Sequence, residues 1–449
     1  MSISISTTTQ DMALEARFLD AFHVNDGQML NGQNDRLKDL RREAIRHFEA
    51  LGFPALKAEA WKYTKIRKVL QHEFGIDLAP ATEGVTAADV EAARIPGLED
   101  AYVFVLVNGR FREDLSSLDG LPEGVVLTGF QHAASHHPEL VNAHLAHYAD
   151  FQDDAFVALN TAFITDGLFL HVPKNTVVER PIQVVNLLHT DHDLFIQPRK
   201  LIVAERSSQV TVVETFGGLT DAATFTKSVT EFFVASNAHV KHYQIQEEGT
   251  AASTVGLIRG YQQGDSTFST TTVTFDGATI RNNISLLPDG QHCNTNMYGL
   301  FLGRGRLHVD NHTFMDHAQP QCESNELYKG ILDDRATGVF NGKIFVRQDA
   351  QQTNAYQSNK SIVLSDTARM YSKPELEIYA DDVRCSHGAT TGQLDEEGVF
   401  YLRARGLTER QARALMLLAF ARDVLDTVEL EPLHDYLDVR VSDRIQEGV

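Results

Sequence analysis

The chain is short of the residues that staple or anchor a protein. Its 449 residues include three cysteines and one tryptophan. Cys293, Cys322 and Cys385 are too few for a disulfide framework and fit a reducing compartment. No apolar run approaches the ~20 residues that span a bilayer; Tyr102–Val107 and Leu415–Ala421 are about the longest. The N-terminus has neither a basic n-region nor an apolar h-region, so no secretory leader is expected. Basic charge is scarce too: 40 Lys plus Arg against 61 Asp plus Glu leave a net charge of −21. Such a chain repels phosphate backbones, so no nucleic-acid partner is expected, and no membrane partner either. The location expected is the cytoplasm or an organelle matrix.

Chemical motifs are missing as well. Gly338-Val-Phe-Asn-Gly342-Lys343 is one residue short of a phosphate-binding loop and lacks its magnesium hydroxyl. There is no G-x-G-x-x-G after a strand, no G-x-S-x-G elbow and no H-E-x-x-H. Any ATP chemistry must therefore come from a partner.

What is present is organised in three parts. In residues 1–160 the first ten or so are polar and expected to be disordered. Leu37, Leu40, Ala44, Phe48 and Leu51 then mark a helix from Asn34 to Leu51, stopped by Gly52-Phe-Pro54. Tyr102–Val107 reads as a buried strand, and helices are expected within 130–160. In residues 161–393 short Val, Ile, Thr and Phe runs alternate with Asp and Gly turn signals, at Asp265, Asp276-Gly277, Asp289-Gly290, Asp333-Asp334 and Asp381-Asp382 among others. Their spacing fits half of a ~25–30 residue coil, with no amphipathic helix between, and predicts a mainly β, parallel β-helix (solenoid) core. The polar tract Gln351–Lys360 suits Asn and Gln ladders between stacked coils. In residues 394–449 Asp395–Arg405, closed by Gly406, and a second helix opened by a Thr408/Gln411 capping box read as an αα hairpin. Its Leu415, Met416, Leu418 and Phe420 exceed one stripe and predict a docking face.

Four groups could carry chemistry. His132, His136, His137, His144 and His147 read as a solvated helix face. Cys293 and Cys322 read as ordinary buried thiols. His308, Asp310 and His312 alternate along a strand and share one face, either as a two-His, one-carboxylate set or as a plain polar surface. Cys385-Ser-His387 puts sulfur and imidazole on one face of an extended chain, within reach of one soft metal ion. Two donors are too few for a stable site, so others must come from elsewhere.

At this last stretch the sequence resembles the SufB/SufD family of iron–sulfur cluster assembly proteins. The resemblance runs through Lys373-Pro-Glu-Leu-Glu-Ile-Tyr-Ala-Asp-Asp-Val-Arg-Cys-Ser-His-Gly-Ala-Thr-Thr-Gly-Gln393, Val309–His317, Phe340–Arg347 and Gln352–Lys360. Trp61-Lys-Tyr-Thr64 after Gly52-Phe-Pro54 is similar to the SufD branch. The resemblance implies a right-handed parallel β-helix between helical ends. It also implies pairing with a SufB-like scaffold and docking of the SufC-like ABC-type ATPase, or a homodimer in isolation. His387 takes the place of the interfacial family histidine, with Cys385 beside it. They are candidate ligands for iron or an iron–sulfur cluster held only transiently. The multi-cysteine motif of many SufB chains is absent. The other readings are the SufB-type scaffold itself and a β-helical carbohydrate-active enzyme using Asp333-Asp334 or Asp381-Asp382.

Overall fold

The computed structural model describes residues 9–29, 35–55 and 57–448. Its core is a parallel β-solenoid whose successive strands alternate between two sheets. The sheets have 11 and 10 strands, ending at Arg369–Ile378 and Arg384–Gly392 respectively. Most core strands are ten residues long and alternate inward and outward, as His308–His317 does. Coils stack nearly in register, so a residue's side is inherited from coil to coil: Ile280, Val309 and Gly338 are successive partners.

The coil repeat is written at the corners. Asn175, Ser207, Asn237, Asp265, His292, Gln321 and Gln352 all have φ near 60°, a left-handed turn that short polar side chains tolerate best. Their amides bond the next coil: Asn237 N–H donates to Gly264 O at 3.0 Å and Asp265 N–H to Gln291 O at 2.8 Å. The amide ladder appears as well, in Gln321 to Gln352 at 3.0 Å and Asn282 to Asn311 at 3.0 Å. Inside, Ile202, Phe232, Gly260, Leu286, Met315 and Ile344 are successive partners in one column.

Helices cover the outer faces. Asp35–Leu51 buries Leu37, Ala44 and Phe48 of the periodicity read from the sequence, with Ile45 beside them, whereas Leu40 is half-buried and Leu51 is exposed; Asn34 lies outside the described residues. Residues 1–8, expected to be disordered, lie outside them too. Thr9–Met29 is a further helix that the periodicity did not reveal. Phe18, Phe48 and Phe156 pack with Phe225, Val229 and Val255 of the first sheet. Tyr102–Val107 is a fully buried strand and extends the second sheet beside Ile182–Leu188.

At the C-terminus Asp395 is the cap of Glu396–Ala404 rather than part of it, and Thr408 and Gln411 form the expected capping box of Glu409–Leu425. The expected hairpin is incomplete, because Glu431–Gln446 adds a helix that buries Leu433, Leu437, Val441 and Ile445. Together these helices bury Leu417, Ala421 and Val424 against Val213, Ile245, Val273 and Leu300 of the second sheet.

Candidate functional site

Arg384–Gly392 pairs on one side only, with Asn354–Val363. Every earlier coil is roofed by the next, but this one is not. Register stacks Cys385 on Ala355 and His387 on Gln357, whose side chains point into the solenoid. Cys385 and His387 therefore share the inward face of an uncovered coil. The thiol is half-buried against the end of the core column, and the imidazole is exposed. Burial pushes the Cys385 thiol up, so at neutral pH it is a thiol rather than a thiolate in the chain alone. Among the described residues no three His, Cys, Asp or Glu side chains gather to hold a metal ion.

The two sheet edges at this end differ. Arg369–Ile378 carries Pro374, whose missing N–H blunts a strand edge. Arg384–Gly392 has no proline, and nothing lies within 4 Å of where a Cβ on Gly388 or Gly392 would sit. The second edge is open to pairing.

Behind His387 the solenoid interior is polar. Gln357 Nε2 donates to Glu326 Oε2 at 2.8 Å, and the Thr313 hydroxyl donates to Glu326 Oε1. Burial pushes the Glu326 carboxyl up to about 7, against the lowering effect of these two donors. Deeper in, Lys200 pairs with Glu214, and His242 Nε2 lies 3.1 Å from the same carboxylate. Burial alone would raise Glu214, but the Lys200 charge and the His242 hydrogen bond outweigh it and bring it to about 2. The sequence reading missed these groups. The signal for them was alternation: polar residues at inward positions of otherwise apolar strands.

His308, Asp310 and His312 do share one outer face, but that face is covered. Thr64 Oγ1 donates to Asp310 and lies 2.7 Å from His308 Nε2. Arg281 Nη1 bonds Asp310 at 2.9 Å, and His312 Nε2 lies 3.0 Å from it. Burial would raise the Asp310 carboxyl, yet Arg281 and His312 hold it well below the usual range. Arg281 also stacks 3.8 Å over Trp61. This cluster latches Trp61-Lys-Tyr-Thr64 onto the first sheet, and its carboxylate is already engaged.

The remaining groups have ordinary surroundings. Cys293 and Cys322 are buried, with their thiols directed at Gly290 O at 3.2 and 3.1 Å. His132 and His136 stack at 3.9 Å on the exposed side of the helix Phe130–His136, but His144, read as part of the same solvated face, is half-buried against Phe233 with Nδ1 2.7 Å from the Tyr148 hydroxyl. Asp333 accepts the Asp334 N–H at 2.8 Å and Asp334 accepts the Gly305 N–H at 2.9 Å, which are turn roles. On the C-terminal helices the apolar surface is narrower than expected. Met416, Leu418 and Phe420 are partly buried against the second sheet's cover, whereas Phe400, Tyr401 and Leu415 are 72%, 58% and 47% exposed. Leu415 and Leu418 line a groove of about 630 Å3 with Leu407 and Ile445. No helix among the described residues is long and apolar enough to cross a membrane.

Comparison with known proteins finds family matches along nearly the whole chain. Residues 187–420 match the family described as "SUF system FeS cluster assembly, SufBD core domain", and residues 12–184 match "SufBD protein N-terminal region". An iron–sulfur cluster assembly SufBD family protein of Synechocystis is 33% identical over 433 residues, 94% of each chain. The iron–sulfur cluster assembly protein SufD of Escherichia coli is 28% identical over 417 residues, 90% of this chain and 93% of that one. Its Bacillus subtilis namesake is 29% identical over 406 residues, 88% and 91% of the two. Joined to a parallel solenoid with helices at both ends, these matches along nearly the whole length place the chain in the SufB/SufD family of iron–sulfur cluster assembly proteins, among members most like SufD.

Proposed function

We propose that this chain is the SufD-type subunit of a SufBCD-type complex, supporting iron acquisition and de novo cluster assembly in the cytoplasm without catalysis of its own. The observation that carries this reading is the uncovered last coil, which presents Cys385 and His387 beside an unpaired strand edge. A SufB-type scaffold with a matching edge would roof that coil and bring donors of its own to the two already there. Iron or a nascent cluster is then cargo at the interface. An imidazole and a thiol from this side leave positions for cysteine or carboxylate from the other. Imidazole is the donor that survives oxidation, so His387 is the essential ligand and Cys385 the auxiliary one. The SufC-type ATPase docks on the C-terminal helices, where Phe400, Tyr401 and Leu415 lie exposed.

Co-expression with the scaffold and ATPase tests the assembly, and reconstitution from iron and sulfide tests the site. The full complex should co-purify. His387→Ala should assemble the complex but fail to build clusters, and Cys385→Ser should be the milder change. Clusters formed at the normal rate by His387→Ala, or dissociation of the subunits, would show the ligand role to be wrong.

A further inference from the structure

Beneath the uncovered coil lies a side chain whose environment is built around an unused acceptor. Gln357 is buried and occupies the ladder position directly inside His387, on the same face, one strand spacing of ~4.8 Å away. Its amide nitrogen is committed to Glu326 Oε2 at 2.8 Å, and Glu326 is in turn held by the Thr313 hydroxyl. This anchoring orients the amide. Its Oε1 is buried and has no hydrogen-bond partner. Across the interior, space for the amide is left by a missing side chain: a Cβ on Gly342 would lie 2.5 Å from Gln357 Nε2. The ladder neighbours on the same strand, Ala355 and Asn359, cannot replace it, since alanine has no acceptor and Asn359 is occupied by Ser372 at 2.9 Å.

A buried carbonyl oxygen without a donor is costly, and the next group outward with an N–H to give is the imidazole of His387. A histidine that ligates a metal through one ring nitrogen commonly donates the other N–H to a carbonyl or carboxylate, which selects the tautomer and aims the lone pair. In the chain alone His387 is exposed and makes no such bond among the described residues. We infer that Gln357, clamped by Glu326, is the positioning residue for His387: when a partner roofs the last coil, Gln357 Oε1 accepts one imidazole N–H and leaves the other nitrogen free to face the cargo. The order is Thr313, Glu326, Gln357, His387, a chain of contacts running from the solenoid interior to its mouth. This rests on the ligand reading of His387 for its purpose, but not for its geometry.

The test uses the full-length chain in complex with its β-helical partner, labelled with nitrogen-15 histidine. The ring shifts of His387, assigned by difference against His387→Ala, report its tautomer. The wild type should show a single neutral tautomer, and Gln357→Leu should show a mixture with cluster formation down roughly tenfold. Glu326→Gln keeps an acceptor for the Gln357 amide and should retain the single tautomer. Glu326→Leu removes the clamp and should lose it. Mixed tautomers in the wild type, or one unchanged tautomer in Gln357→Leu, would overturn the inference. The ligand reading fails separately, through normal cluster yield in His387→Ala.

Discussion

Single residues inside the solenoid set how its stability responds to pH. Glu326 is buried with only neutral donors, so its carboxyl titrates near 7 in the fold against 4.5 ordinarily. Between those values the folded chain holds a proton that the unfolded chain has released. Stability from this group is therefore fully present below pH 4.5 and is lost as pH rises through about 7. The loss is on the order of 3 kcal/mol. Glu326→Gln should be more stable than the wild type at pH 8 and should flatten the curve between pH 5 and 8, as urea titrations would show; an unchanged slope would refute the assignment. Packing is equally local. A Cβ on Gly299 would lie 2.2 Å from Tyr328 Cε1, so Gly299→Ala should cost about 1–3 kcal/mol through overpacking, measurable as a lower urea midpoint. Neither residue stood out in the sequence, because whether Glu326 faces inward depends on the register of a strand and not on its own composition. Cys385-Ser-His387 did stand out, because two residues two apart share a face on any extended chain.

At the level of elements, the C-terminal helices separate buried from exposed apolar surface. Leu417 is 1% exposed against the second sheet, while Leu415, two positions earlier, faces solvent. Leu415→Glu should abolish capture of the ATPase without shifting the thermal midpoint, whereas Leu417→Glu should unfold the helical cover. ATPase capture by Leu415→Glu at wild-type strength would place the contact elsewhere. Thr408→Ala removes the side chain that caps Glu409–Leu425 and should cost about 1 kcal/mol. That cap was legible from spacing alone. The helix Glu431–Gln446 had a readable start in Pro432 and a four-residue apolar repeat, yet its role appears only where it packs beside Glu409–Leu425.

For the whole molecule, the decisive feature is an asymmetry of cover. Helices roof both outer faces, and the last coil stays bare. Arg384 N–H bonds Thr353 O at 2.9 Å, so alternate amides, including that of Ala389, point away toward the free edge. Ala389→Pro should leave the solenoid folded but abolish both scaffold pairing and any self-association of the isolated chain, as sedimentation would report. Undiminished pairing would exclude strand addition at this edge. The solenoid class was determined by the sequence itself, since corner residues and the two-residue alternation act within one coil and repeat about every 30 positions. The C-x-H face and the helix caps were local in the same sense. Tertiary structure alone decided what covers what. Thr64 meets Asp310 across 246 residues, and that contact turns a plausible metal set into a latch. Thr313 meets Glu326 across the interior, and the ladder carries their polarity through Gln357 to the mouth beside His387. Such contacts depend on register and on the packing of distant segments, which no local pattern of residue types specifies.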